Sequence, residues 1–133
     1  ETEELVQEAE RKFPWCISFH KDAIEVGEYV LLGYGGGGFS VQDAEFRKVA
    51  RNWYGSYQGR KVILVLHGPP FGMKVDLLHK QHVGNIDYRA FIERIKPKLV
   101  LCGHLHENAG VTEEERGMMV ANPGWEGMVI EVN

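Results

Sequence analysis

Two runs of the chain are apolar at nearly every position, Val62-Ile63-Leu64-Val65-Leu66 and Leu99-Val100-Leu101-Cys102. Unbroken runs of this length, rich in β-branched residues, predict strands buried on both faces of a parallel sheet. Between them the period changes to that of a helix. Ile86, Ala90, Phe91, Ile92 and Ile95 form an apolar stripe against Asp87, Arg89, Glu93 and Arg94, with Asn85 placed to cap the helix and Lys96-Pro97 to stop it. Strand 61–66, a crossover containing a helix and strand 98–102 make a βαβ unit, which sets the two strands parallel and puts their C-terminal ends on one edge.

The rest of the chain reads as shorter elements of an α/β fold. A helix is expected through Lys12 behind a Thr2 cap, with Leu5, Val6, Ala9 and Phe13 on one face and Pro14 beyond its end. Trp15 to Phe19, Ala23 to Val26 and Tyr29 to Tyr34 are expected strands of a meander, with His20 in a turn between the first two. Phe46, Val49, Ala50, Trp53 and Tyr54 keep helical spacing over residues 41–54, behind a Ser40 cap with Asp43 at the capping-box position. Ala109 to Thr112, Met118 to Ala121 and Met128 to Val132 read as a C-terminal meander of three strands. Glu113-Glu114-Glu115 forms a solvated turn in that reading.

Both βαβ strands end in histidine: His67-Gly68-Pro69-Pro70 follows the first, and Gly103-His104-Leu105-His106 follows the second. Strand ends of an α/β sheet are where such folds place their sites, because a rigid strand delivers the side chain into a loop region free to diverge. The βαβ topology therefore gathers His67, His104 and His106 on one edge, and neutral imidazoles suit manganese, iron, zinc or nickel. The loop 71–84 carries Asp76, His79 and His82 without a strong period. Four glycines, Gly35 to Gly38, follow a strand but have neither the Lys-Ser/Thr of a P-loop nor a spaced dinucleotide fingerprint, and read as a flexible or closely packed connection with a place beside the site open to it. Trp125, after Asn122-Pro123-Gly124, reads as a packing lid.

Composition narrows the picture. The 133 residues are 44% hydrophobic with a net charge of -4, which suits one domain with a core and offers no basic surface for nucleic acid. No apolar run is long enough for a membrane span and no leader is visible, so a cytoplasmic protein is expected. Cys16 and Cys102 sit far apart in apolar segments and are expected as reduced core thiols.

Taken together, Leu66-His67-Gly68-Pro69-Pro70, Asp76, His82-Val83-Gly84-Asn85, Cys102-Gly103-His104-Leu105-His106-Glu107 and Asn122-Pro123-Gly124 resemble the C-terminal half of a calcineurin-like metallophosphoesterase, from about residue 14 to the end. The resemblance implies that residues 1–133 are half of a four-layer α/β/β/α sandwich. It implies phosphodiesterase or phosphatase chemistry on two divalent transition-metal ions, with His67 and His104 on one ion, His106 on the other, and Asp76 or His82 bordering the substrate opening. The family's other ligands lie in an Asp-x-His, a Gly-Asp-x-x-Asp and a Gly-Asn-His-Glu, none of which occurs here. Catalytic residues are thus expected upstream of Glu1, and the opening Glu1-Thr2 reads as though cut at the last residue of Gly-Asn-His-Glu. The implied partners are a phosphoester substrate and the N-terminal half or another chain of the same fold, without which this chain is expected to be inactive. Two alternatives stay open: a non-catalytic scaffold of the same fold, and a small zinc-stabilised module with Cys102 as fourth ligand.

Overall fold

The computed structural model describes residues 2–133, apart from the side chain of Thr2, so the expected Thr2 cap lies outside the described side chains. Helix α1 (Thr2–Lys12) leads to a two-strand ribbon, β1 (Asp22–Val26) and β2 (Tyr29–Tyr34). Helix α2 (Ala44–Tyr57) precedes β3 (Lys61–Leu66). A tight excursion follows, made of a 3-10 turn (Lys74–Asp76) and the short hairpin β4 (Leu77–Leu78) and β5 (Gln81–His82). Helix α3 (Ile86–Ile95), β6 (Leu99–Leu101), a second 3-10 turn (His106–Asn108) and the hairpin β7 (Thr112–Glu115) and β8 (Met118–Ala121) complete the order.

The architecture is α/β. One sheet runs β1-β2-β3-β6-β8-β7, with β2, β3, β6 and β8 parallel and an antiparallel strand at each edge. The βαβ unit is present as expected: Ile63 pairs with Leu99, Leu64 with Val100 and Val65 with Leu101. Alternation along β3 then decides the layers. Val62, Leu64 and Leu66 are buried in one core with Phe46, Ala50 and Trp53 of α2 and Tyr88, Phe91, Ile92 and Ile95 of α3. The register puts Leu31, Ile63, Val65, Leu99, Leu101 and Met119 on the opposite face, where Leu99 is buried and the other five stay half-buried.

Several expected elements differ. Trp15 to Phe19 is not a strand; Trp15 and Ile17 are 77% and 66% exposed there. Helix α2 is capped by Asp43 rather than Ser40, because the Asp43 carboxylate accepts from the Phe46 N–H and from the Tyr34 hydroxyl, which locks it at the helix start. In α3 the buried stripe includes Tyr88, while Ile86 and Ala90 are exposed. The triple glutamate is strand β7, with the turn moved to Arg116-Gly117; alternation turns Glu113 and Glu115 partly inward, and Arg89 pairs with Glu115. Residues 128–132 are not a strand, so the C-terminal meander is a hairpin. Cys102 is a buried thiol as expected, whereas Cys16 is exposed.

Candidate functional site

Two of the three strand-end histidines meet. His67 begins the loop after β3, its N–H donating to the Tyr34 carbonyl, and its own carbonyl accepts from the Gly103 N–H. That backbone tie sets the two loops side by side. His67 Nε2 lies 3.1 Å from His104 Nδ1, and the rings are 4.9 Å apart at 63°. His104 is held in an unusual conformation: its φ is 66°, and the Leu105 N–H donates across it to the Gly103 carbonyl at 2.8 Å. A three-residue turn of this hand is strained for any residue with a Cβ, and strain of that kind gathers at functional sites.

His104 is covered as well as strained. The Phe39 ring meets its face edge-on at 4.3 Å, and a Cβ on Gly38 would stand 3.6 Å from its Cε1. The glycine run is therefore packed beside the histidines. Gly37 (φ 100°) passes so close to the Tyr88 hydroxyl that a Cβ would come within 2.1 Å of it, and Tyr88 donates to the Gly36 carbonyl. The sequence contained a signal for this contact, four glycines after a strand, but nothing that named Phe39 as its partner.

His104 Nε2 is buried without a hydrogen-bond partner. Burial first, then His67 and His106, hold its proton affinity below the usual imidazole range, against an opposing pull from Glu107. That nitrogen faces the glycine loop, while the other, Nδ1, faces His67, and an imidazole of low proton affinity suits a metal ion. Two nitrogens each about 2.1 Å from one ion stand about 3.0 Å apart at a right angle and about 3.4 Å apart at a tetrahedral one. The 3.1 Å pair falls within that span, so His67 and His104 fit two neighbouring ligand positions of one ion.

His106 is placed differently. It opens the 3-10 turn, is exposed, and shares with His104 a cleft of about 540 Å³ that Trp125 and Pro123 also line. The expected gathering of three imidazoles is thus a pair and a neighbour. Among the described residues no group of three or more His, Cys, Asp and Glu side chains is placed to hold a metal ion. Cys102 does not behave as a fourth ligand: burial pushes its thiol up to about 12, and its Sγ points at the Ala121 carbonyl 3.9 Å away.

Asp76 and His82 form a unit of their own. Asp76 is fully buried and accepts from the Gly72, Met73 and Gly84 N–H groups and from His82 Nδ1 at 2.6 Å. The carboxylate staples its loop shut. Asn108, two residues after His106, donates to the Val75 and Leu77 carbonyls and ties that loop to the histidine turn. His20 lies in a turn as expected; its Nδ1 accepts from the Gly35 N–H, and it lines a shallow cleft with His67. Trp125 is not a packed lid, being 89% exposed. His79 is exposed.

Comparison with known proteins gives the fold a context. No family model matches the sequence. No curated protein matches it either. One solved crystal structure aligns at a TM-score of 0.70 and 22% identity, covering 91% of this chain and 51% of that one. TT1561 of Thermus thermophilus aligns at 0.61 and 18%, covering 90% of this chain and 54% of that one. A Staphylococcus aureus chain with a provisional 5'-nucleotidase name, solved with alpha-ketoglutarate, aligns at 0.48 and 14%, covering 80% and 24%, too low to argue from. The chain spans about half the length of the first two, and the likeness establishes a shared α/β fold.

Proposed function

We propose that this chain supplies one side of a divalent-metal centre in a phosphoester hydrolase, with His67 and His104 on one ion and His106 on a second. The observation that carries this reading is the 3.1 Å approach of His67 Nε2 and His104 Nδ1 at the ends of two parallel strands. Such a centre supplies a hydroxide nucleophile and a charge clamp on the phosphoryl oxygens when its ions are bound, whether the ester is a mono- or a diester. The chain's own residues hold two imidazoles in register, lower the proton affinity of His104 through burial, and pack Phe39 and the glycine run against its ring. The bridging carboxylates come, in this reading, from a polypeptide segment outside the chain, which completes a second sheet layer and a single metallophosphoesterase domain. Manganese, iron, zinc and nickel are all compatible with imidazole ligands.

The test is calorimetric titration of Mn²⁺ and Zn²⁺ into the chain and into His67→Ala, His104→Ala and His106→Ala. Truncating a ligand is expected to weaken binding by more than the about 10–100-fold that a ligand's supporting partner is worth. Unchanged affinity in His67→Ala and His104→Ala would overturn the assignment. A second reading, a non-catalytic scaffold of the same fold, is favoured by the lack of any group of three or more ligand side chains among the described residues. Hydrolysis of bis(4-nitrophenyl) phosphate on adding the upstream half separates the two, since a scaffold stays inactive when the half is restored.

A further inference from the structure

Trp125 is a large apolar side chain left 89% exposed, yet the turn that carries it is among the most firmly anchored parts of the site. Asn122 is buried, its Nδ2 donates to the Leu105 carbonyl and its Oδ1 accepts from the Gly124 N–H. The Gly110 N–H donates to the Asn122 carbonyl at 2.7 Å. Gly124 (φ 66°) presses on Ala109, so that a Cβ there would come within 2.7 Å of the Ala109 side chain. The backbone of the turn is therefore fixed relative to the His104–His106 turn, and the indole it carries lines the same cleft of about 540 Å³ as both histidines. A rigid turn presenting an uncovered aromatic ring beside polar groups that fit a reacting centre is the arrangement of a stacking platform.

We propose that Trp125 is a specificity-determining residue that stacks against a planar group of the substrate, so that the site takes phosphoesters of an aromatic alcohol or of a nucleoside rather than of a simple alkyl alcohol. This rests on the phosphoester reading for the substrate's other end. The cleft volume accommodates one heterocycle next to the histidines, and the free indole face gives a sequence-tolerant contact, because any base or aryl ring has a π-face to offer.

The test uses the whole chain with Zn²⁺ and four probes: adenosine 5'-monophosphate, propyl phosphate, inorganic phosphate and adenosine. Dissociation constants come from calorimetry, and the Trp125 indole N–H is followed by NMR after assignment with Trp125→Phe. Adenosine 5'-monophosphate is expected to bind about tenfold more tightly than propyl phosphate and to shift the Trp125 resonance. Trp125→Ala should erase that tenfold difference and leave inorganic phosphate unchanged, while Trp125→Phe should keep most of it. Adenosine alone shifting Trp125 in a chain that binds no phosphate would sustain the platform and sink the phosphoester reading. Equal binding of the aryl and alkyl probes, or a preference that survives in Trp125→Ala, would overturn the platform whatever becomes of the phosphate site.

Discussion

At the scale of single residues, the chain spends its buried charge away from the histidine pair. Asp76 satisfies three backbone N–H groups and one imidazole from a position with no solvent contact. Removing its charge leaves those donors buried and short of an acceptor, so Asp76→Asn is expected to destabilise the fold by about 3 kcal/mol in urea denaturation. His82, whose side chain is 40% exposed, is expected to cost about 1 kcal/mol or less when changed to Ala. Tyr34 sets a pH dependence at the alkaline end. Burial, and then its bond to the Asp43 carboxylate, raise its phenol well above the ordinary value of 10.0. The folded state therefore keeps a proton that the unfolded chain releases near pH 10, so the stabilisation is fully present below that pH and is lost progressively above it, as pH rises toward the raised folded value. Burial raises the Tyr88 phenol in the same direction. The urea midpoint should hold level up to about pH 9.5 and fall from about pH 10 upward, and Tyr34→Phe should remove part of the fall.

At the scale of elements, caps decide boundaries. The Asn85 side chain accepts from the Asp87 and Tyr88 N–H groups and donates to the Ser40 carbonyl, joining the start of α3 to the end of the glycine loop. Asn85→Ala is expected to cost about 2 kcal/mol by thermal or urea unfolding, at the upper end for a cap because Asn85 itself is buried and its bond to the Ser40 carbonyl is lost as well. This cap, the βαβ unit and the two histidine-ended strands were legible in the sequence, because apolar period, cap chemistry and strand-to-loop transition all pointed the same way there. Asp43 was read one role away from its own: the sequence shows a carboxylate three residues after a serine, but not that Tyr34 would reach across to hold it. Trp15 to Phe19 and Met128 to Val132 had strand-like composition, yet strand formation depends on pairing, and neither segment pairs with the edge strands β1 and β7. The distances within the site were not legible either. Spacing located three imidazoles on one edge; the φ of 66° at His104, which turns one ring onto His67, is a tertiary outcome.

At the scale of the molecule, the two faces of the sheet are unequal. The face bearing Val62 is sealed by α2 and α3, and the face bearing Ile63 is half open. Val62→Lys is expected to destabilise by about 4 kcal/mol or more, since it buries a charge without a partner, whereas Ile63→Lys should cost about 1 kcal/mol. Parallel urea curves of the two variants check this, and equal losses would mean that both faces are sealed. The parallel β3–β6 pairing also sets an order of events in time. His67 and His104 lie 37 positions apart, and no local turn brings them together; they meet only when the crossover helix has docked and the two strands have zipped side by side. Non-local closure of this kind is slow compared with helix formation. On the proposed metal reading, the imidazole pair is therefore a clock for the last stage of refolding: ion capture should lag behind the recovery of helical signal, at a rate that does not rise with ion concentration.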